Sequence, residues 1–295
     1  MNTIMKFLAY QGRIQITCAS MTKLIEEARK IHDLSPVATA ALGRTLTMAA
    51  LMGAQLKGKE DTITIQIKGN GPLGGITATV DKALRTRGYV GNPYIEVPLR
   101  EDGKLNVGMA VGNQGFLYVI KDLGLKEPYV GTSKLVTGEI AEDFTNYFFT
   151  SEQKNTAVAL GVLVDKDGVK ASGGYMVSAM PDATADDLFI LENRIREAKP
   201  ISQMLAENMS LEEIAKDITG DVNLQLIEEE LHPVYACNCS KEKMQRALAT
   251  IGKEELKAMI EEDRGAELVC HFCNKKYPFS EQELQDLYNS LDKTK

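Results

Sequence analysis

The chain has 295 residues, of which 44% are apolar, and it carries a formal net charge of −7 at pH 7. That length suffices for two domains with real hydrophobic cores, and the negative charge excludes a global attraction to nucleic acids or anionic membranes. Tryptophan is absent and only 3 histidines are present, which restricts the catalytic chemistry that the chain could perform.

The N-terminal part, residues 1–180, alternates strand-like runs with glycine-containing turns, and it includes helices predicted near 21–31, 36–56 and 138–149. Thr62–Ile67 alternates polar and apolar residues, which predicts a strand with one buried face. Val162–Val169 contains an Asp-Gly dipeptide typical of a hairpin turn. Because hairpin-connected strands pair antiparallel, we predict an α+β fold with a largely antiparallel sheet-and-helix N-terminal domain.

The segment Val37–Leu56 comes nearest to a membrane span, but it contains Arg44. A charge near the centre of a span costs roughly 2.5–3.5 kcal/mol on insertion scales. Ser35 as N-cap and Pro36 at the first helical position favour a buried helix of a soluble domain instead. Met1–Tyr10 lacks the basic-then-apolar pattern of a secretory leader. We therefore expect a cytoplasmic protein without a membrane partner.

The segment 181–230 is predicted to be a helical linker. Thr184-x-x-Asp187 and Ser210-x-x-Glu213 each fit a capping box at the start of a short helix. Helices this short are marginal alone, because nucleation is costly and burial must supply most of their stability. The linker is therefore either an ordinary connector or a conditionally stable element that can leave the surface on which it packs.

The segment 231–295 is predicted to be a small domain stabilised by zinc. Ser240 and the Ser280-x-x-Glu283 box mark the starts of two of its helices. A unit of this size has a thin apolar core, so a bound metal is the expected source of additional stability.

Outside this domain, three features could be mistaken for functional sites, but the surrounding sequence indicates a structural role for each. Gly69–Gly74 has the spacing of a dinucleotide-binding loop, but a second strand-like run, Ile76–Val80, follows it where such a loop needs a helix. Cys18 lies in a strand-like run and is predicted to be a small buried apolar residue. His32 is predicted to make a local polar contact. No motif for catalysis is present, so we expect a protein that is not an enzyme.

Four of the 5 cysteines form two clusters, Cys237 with Cys239 and Cys270 with Cys273. Each cluster can supply two thiolates from one backbone turn, which is what a tetrahedral zinc site requires. Leu268–Tyr277 reads as a strand, a tight turn and a strand. His232 and His271 could each replace a sulfur, but four thiolates already complete the tetrahedron, so one zinc ion with four cysteine ligands is predicted.

The role of that metal stays open on spacing alone. It could be purely structural, it could support a zinc-ribbon regulator that binds nucleic acid, or it could be a redox switch. Residues 230–295 contain ten Lys or Arg against twelve Asp or Glu, a net charge of −2, which disfavours phosphate binding. A metalloenzyme or thiol oxidoreductase would need an open metal position or a lone reactive cysteine. Each pair is also spaced to close into its own disulfide.

The chain resembles the redox-regulated heat-shock chaperones of the thirty-three-kilodalton family, which are bacterial holdases, over essentially its whole length. The resemblance is carried by Cys-x-Cys-Ser at 237–240, Cys-x-x-Cys at 270–273, and matching stretches at 69–74, 87–93, 121–125, 151–153 and 161–165.

The resemblance implies an oxidation-activated, ATP-independent chaperone whose reduced, zinc-bound form is a poor chaperone. Oxidants would form the disulfides Cys237–Cys239 and Cys270–Cys273 and expel zinc. The linker would then lose its structure, and the apolar surface that it leaves would bind unfolding client proteins. The resemblance also implies a homodimer in the active state and transfer of clients to ATP-dependent foldases. A zinc-ribbon regulator that binds nucleic acid through a structural zinc is the alternative.

Overall fold

The structure, a computed structural model, describes residues 1–228 and 230–291. The chain forms two compact units, Met1–Ala236 and Cys237–Lys295. The helical segment predicted as a linker, 181–230, belongs to the first unit in this division, although its Glu229 lies outside the described residues. Residues 292–295 of the predicted C-terminal domain lie outside them as well.

The first unit contains two sheets. Its strands are β1 (Thr3–Ala9), β2 (Ile14–Ser20), β3 (Thr62–Lys68), β4 (Ile76–Asp81), β5 (Arg85–Val90), β6 (Phe116–Asp122), β7 (Tyr129–Lys134), β8 (Thr156–Asp165), β9 (Gly168–Ala179), β10 (Gln225–Leu226) and β11 (Val234–Tyr235). One sheet has the order β10-β1-β2-β9-β8 and is antiparallel throughout. The other has the order β11-β5-β4-β3-β6-β7, and only its short β11–β5 pair is parallel. The predicted α+β class and the hairpin between β8 and β9 are confirmed.

The first unit also contains seven of the described helices. They are α1 (Thr22–His32), α2 (Pro36–Gly53), α3 (Val107–Val111), α4 (Ala141–Thr150), α5 (Ala185–Glu197), α6 (Ile201–Ala206) and α7 (Leu211–Thr219). Helix α4 begins later than predicted, at Ala141, because the Asp143 carboxylate accepts hydrogen bonds from the amides of Val136 and Ile140. The preceding chain therefore wraps around that carboxylate instead of continuing the helix.

Helix α2 is the centre of the first unit. It contacts β3, β4 and β5 of one sheet and β8 and β9 of the other. Every residue of α2 except Pro36 and Arg44 is buried, and Arg44 donates to the Glu139 carboxylate at 2.6 Å. A helix packed between two sheets must be apolar on all sides, which explains its resemblance to a membrane span. None of the helices in the described residues combines the length and the apolar character that a membrane-spanning helix requires.

The short helices α5, α6 and α7 form a second apolar core against one face of the five-stranded sheet. The buried residues of this linker core are Phe7, Ala9, Ile14, Ile16, Cys18, Tyr175, Val177, Leu191, Ile201, Met204, Leu211, Ile214, Ala215 and Ile218. The predicted capping boxes at Thr184 and Ser210 are both present, with Asp187 and Glu213 completing them. Because α6 has only 6 residues and α7 only 9, their helical structure depends on this packing.

An ion pair ties the start of the linker to the turn between β1 and β2. Arg13 donates to both oxygens of Asp187, at 2.7 and 3.0 Å, and the same carboxylate caps α5. The Arg13 guanidinium and the amide of Thr184 hold the pKa of Asp187 well below its ordinary value. A depressed carboxyl pKa contributes stability that is present above the unfolded value, about 3.9, and is lost as pH falls towards the folded value.

Asp187→Asn is therefore expected to speed amide hydrogen exchange in α5 at neutral pH. The difference from the unsubstituted protein should shrink as pH falls from about 3.9, where the carboxyl of the unfolded state takes up a proton, towards the lower pKa of the folded state, where the ion pair itself is lost. Asp186→Asn, one residue earlier and outside the capping box, is the matched control and should change little. Equal exchange in both variants at neutral pH would show that the ion pair does not hold the linker.

The motifs set aside as ordinary structure are indeed structural. Residues 69–75 connect β3 to β4, so Gly69–Gly74 is a strand-to-strand turn, with Gly74 at φ +72°. Cys18 is 0% exposed, and burial raises the pKa of its thiol far above the ordinary value. His32 Nε2 lies 2.9 Å from the hydroxyl of Tyr235. This contact is polar, as predicted, but it joins residues far apart in the sequence and is not local.

The second unit is a small α+β assembly around the cysteines. Its elements are α8 (Lys241–Thr250), α9 (Lys253–Ala258), a turn of π-helix (Met259–Asp263), β12 (Gly265–Val269), β13 (Lys276–Ser280) and α10 (Glu281–Ser290). Ser240 caps α8 and the Ser280–Glu283 box caps α10, both as predicted. The core contains Leu248, Leu256, Ile260, Cys270, Tyr277, Phe279, Leu284 and Leu287.

Candidate metal centre

The turn between β12 and β13 positions one pair of thiols. The amide of Cys270 donates to the carbonyl of Lys275 at 3.0 Å, and the amides of Cys273 and Asn274 donate to the carbonyl of Cys270. Asn274 adopts a left-handed conformation, φ +57°, which a short polar side chain tolerates. This tight turn is the predicted strand-turn-strand arrangement, and it brings both sulfurs of the pair to the same centre.

The second pair lies just before α8. Ser240, the N-cap of that helix, follows Cys239 directly and accepts a hydrogen bond from the amide of Lys243. The Lys243 ammonium in turn donates to the carbonyl of Asn238 at 2.8 Å. The start of α8 thus fixes the loop that carries Cys237 and Cys239, and the amide end of a helix favours negative charge nearby.

The structure brings all four predicted cysteines together. Their Sγ atoms lie within 4.8 Å of one another, with Cys237 to Cys270 at 3.7 Å and Cys239 to Cys273 at 3.4 Å. A tetrahedral zinc with bonds of about 2.3 Å separates its sulfurs by about 3.8 Å, whereas a disulfide bond is about 2.05 Å long. The four thiols are free, and their spacing fits a metal centre.

Neither candidate histidine belongs to this cluster. Among the described residues, the group that could hold a metal consists of the four cysteines alone. His232 lies in the first unit, where its Nδ1 is 3.2 Å from the carbonyl oxygen of Asn2. A closed set of four sulfurs leaves no position for a substrate, which disfavours metalloenzyme chemistry at this centre.

Tyr277 is a polar neighbour of the sulfurs. It was not identified from the sequence as part of the site. Its hydroxyl donates to the sulfur of Cys239 at 3.0 Å. Burial raises the pKa of the Cys239 thiol, but hydrogen bonds from Tyr277 and the other cysteines outweigh burial and lower it to about 7. Burial instead raises the pKa of Cys237 well above its usual range. A divalent cation would supply the charge that holds all four sulfurs deprotonated.

Tyr277→Phe is expected to weaken metal retention. Loss of a hydrogen bond to a ligating atom typically lowers metal affinity by about 10–100-fold. Competition between added Zn²⁺ and a chromophoric chelator would measure the change. Tyr288→Phe, a matched substitution in the same unit whose ring contacts Lys253 instead, should leave the affinity unchanged. Equal affinity in the two variants would exclude a role for the Tyr277 hydroxyl.

Curated proteins and a solved structure are similar to this chain over nearly its full length. The chain is 48% identical to the 33 kDa chaperonin of Acetivibrio thermocellus over 294 residues, covering 99% of this chain and 98% of that relative. It is 44% identical to the 33 kDa chaperonin of Clostridium beijerinckii over 290 residues, covering 97% and 98% of the two chains. The crystal structure of the 33 kDa chaperonin from Thermotoga maritima matches with a TM-score of 0.91 and 37% identity, covering 99% of each chain.

The family model described as Hsp33 protein matches residues 2–280. The chain therefore belongs to the Hsp33 family, as the sequence resemblance predicted. Membership of a chaperone family implies binding of unfolded client proteins, and the relatives carry a chaperone's name rather than an enzyme's.

Proposed function

We propose that the protein is an oxidation-activated, ATP-independent holdase, which binds unfolding proteins after its clustered cysteines form disulfides and lose zinc. The observation that carries this proposal is the linker core, an apolar sheet face covered by three short helices in a chain that also has a four-thiol centre. A surface of this kind can be uncovered without dismantling the main core of the protein.

Zinc is the proposed metal, with Cys237, Cys239, Cys270 and Cys273 as its ligands. Four thiolates in a closed, roughly tetrahedral set suit Zn²⁺ better than harder cations. Bound zinc would keep the sulfurs as thiolates and hold the two cysteine-bearing turns together. Leu268 and Phe272 belong to the same apolar cluster as the four cysteines, and apolar surroundings of this kind would limit the access of water to a bound metal.

Oxidation is proposed to remove the ligands in pairs, Cys237 with Cys239 and Cys270 with Cys273. In each pair hydrogen peroxide oxidises one thiolate to a sulfenic acid, and the partner thiolate displaces its oxygen to form the S–S bond. The two electrons that each pair loses reduce one peroxide, with two protons, to two molecules of water. Two short sulfur distances, 3.7 Å from Cys237 to Cys270 and 3.4 Å from Cys239 to Cys273, join the two clusters. The pairing within each cluster is therefore supported by the family resemblance and the sequence spacing, and not by these distances.

Loss of the metal is proposed to destabilise the second unit and, through the connecting chain, the linker. Apparent zinc-binding free energies of about 10–16 kcal/mol in small zinc peptides exceed the net stability of many domains. The strands that hold the end of the linker, β10 and β11, have only 2 residues each. Strand pairings this short contribute little to the stability of the linker against unfolding. Oxidation combined with heat should therefore release the linker helices more completely than oxidation alone.

Release of the linker would expose the apolar face that captures clients. The family resemblance further supports a cytoplasmic protein, a homodimer in the active state, and transfer of clients to ATP-dependent foldases after reduction. A nucleic-acid-binding role lacks support, because the zinc-binding segment 230–295 has a net charge of −2, with ten Lys or Arg against twelve Asp or Glu.

The direct test of this function compares the aggregation of a chemically denatured model protein, citrate synthase, in the presence of the reduced, zinc-loaded chain and of the peroxide-treated chain. Light scattering should fall strongly only with the treated chain. Equal suppression by both forms would contradict redox gating, and no suppression by either would contradict a chaperone.

Cys18 provides an internal reporter of linker release. Its side chain is 0% exposed beneath the linker, and burial raises its pKa, so alkylation should be very slow in the resting protein. After oxidation the other four cysteines are in disulfides, and one thiol per chain should react with iodoacetamide much faster than before. Cys18→Ala, oxidised in the same way, should show no reactive thiol. A Cys18 that stays unreactive in the active form would mean that the linker core remains closed.

A further inference from the structure

The outer edge of β1 is covered by the chain segment that follows the linker helices. The amide of Ile4 donates to the carbonyl of Leu231 at 2.8 Å, and the amide of Leu231 donates back at 3.0 Å. Further along, the amide of Ile227 donates to the carbonyl of Lys6 at 2.9 Å, and Leu8 lies opposite Gln225. At Ile4, Lys6 and Leu8, the outer edge of this 7-residue strand therefore pairs with a short extended segment.

The same strand borders the linker core. Side chains alternate across a strand, so Phe7 and Ala9 face α5–α7 while Lys6 reaches the carbonyl of Ala54 on the opposite face. Leu226 lies directly opposite Phe7 in the ladder, and directly opposite residues share a face. A chain paired with β1 thus places every second side chain beside the apolar surface that the linker helices cover.

Departure of the linker would leave β1 as an open edge next to an open apolar face. Unpaired amides and carbonyls at a strand edge bind other extended chains. They form hydrogen bonds with the backbone of the partner, so the binding depends little on the partner's sequence. The resting protein already holds an extended segment there, with Leu226, Ile227 and Leu231 among its residues. An edge beside an apolar face fits an extended, apolar stretch of an unfolded chain better than a folded or helical partner.

We propose that the outer edge of β1, together with the neighbouring apolar face around Phe7, docks an extended apolar segment of an unfolded client, which joins the sheet as an added strand. The client takes the place that Gln225–Glu228 and Leu231 occupy in the resting protein. This inference rests on the proposed function, because the edge becomes available only when the linker is released.

The test compares two fluorescent peptides that differ only in their backbone hydrogen bonds. One is Lys-Val-Thr-Val-Thr-Val-Lys, and the other has the same sequence with N-methyl groups on the three valines. The oxidised full-length chain should bind the unmethylated peptide at least about tenfold more tightly, because several backbone hydrogen bonds are lost with methylation. The reduced, zinc-loaded chain should bind neither peptide, since its own segment covers the edge.

The same samples are assayed for suppression of citrate synthase aggregation. If the oxidised chain suppresses aggregation but binds both peptides equally, or neither, the β1-edge proposal is wrong while the holdase function stands. If the oxidised chain does not suppress aggregation, both proposals fall.

Hydrogen exchange at single residues gives a second, independent readout. The amide of Ile4 points outward and that of Phe7 points towards β2, because amides alternate between the two neighbours of an antiparallel strand. In the oxidised chain, Ile4 should exchange quickly and become protected when the unmethylated peptide binds, while Phe7 stays protected throughout. An Ile4 amide that still exchanges quickly with saturating peptide would overturn the proposal.

Discussion

Replacing Cys270 and Cys273 with serine is expected to abolish zinc binding and to unfold the second unit. The two substitutions remove half of the ligand set, and two remaining thiolates cannot form a closed tetrahedral site. The apparent loss, on the order of 10–16 kcal/mol for small zinc peptides, exceeds what a core of this size can supply. Zinc content by elemental mass spectrometry and the near-ultraviolet circular dichroism of the full chain measure the two effects.

Cys18→Ala is the matched control for the loss of a cysteine. It lies outside the four-thiol cluster, in the linker core, so the variant should retain one zinc per chain and a folded second unit. A Cys270→Ser/Cys273→Ser protein that still bound one zinc per chain, with an unchanged spectrum, would show that other residues hold the metal.

Opening the linker core without touching the cysteines is expected to produce a chaperone that needs no oxidant. Ile214 and Ile218 of α7 are both 0% exposed. Replacing a buried isoleucine with alanine costs about 2–5 kcal/mol, and two such losses exceed what a 9-residue helix can tolerate. The Ile214→Ala/Ile218→Ala protein should therefore suppress citrate synthase aggregation while reduced and zinc-loaded.

Asp217→Ala provides the control within the same helix. Asp217 is exposed, and surface substitutions usually change stability by less than about 0.5 kcal/mol. This variant should stay inactive until oxidised. If the double variant lost hydrogen-exchange protection in α5–α7 yet remained inactive, the surface beneath the linker would not be the client-binding surface.

Local sequence signals predicted most elements of the fold. The alternation in Thr62–Ile67 predicted β3, the capping boxes predicted α5 and α7, and the two-sided burial of α2 accounts for its apolar composition. The strands β10 and β11 gave no signal, because a 2-residue strand has no periodicity. Their positions depend on long-range pairing with β1 and β5, which a single sequence does not reveal.

The candidate metal centre was predicted only in part. The spacing of the four cysteines was sufficient to identify the cluster, since each pair lies within one turn. The hydrogen bond from Tyr277 was not predictable, because an aromatic residue in a strand is equally compatible with a purely apolar core position. The ion pair between Arg13 and Asp187 joins residues far apart in the sequence, so no local pattern marks it.

The most direct test of the central claim is hydrogen–deuterium exchange across residues 185–219, measured by mass spectrometry on the zinc-loaded reduced chain and on the same chain after peroxide treatment. The switch from a metal-bound to a disulfide-bonded centre should abolish protection in all three linker helices while α2 remains protected. Unchanged protection of 185–219 after complete disulfide formation and zinc loss would contradict the account, because the cysteine centre would then not control the surface that the linker covers.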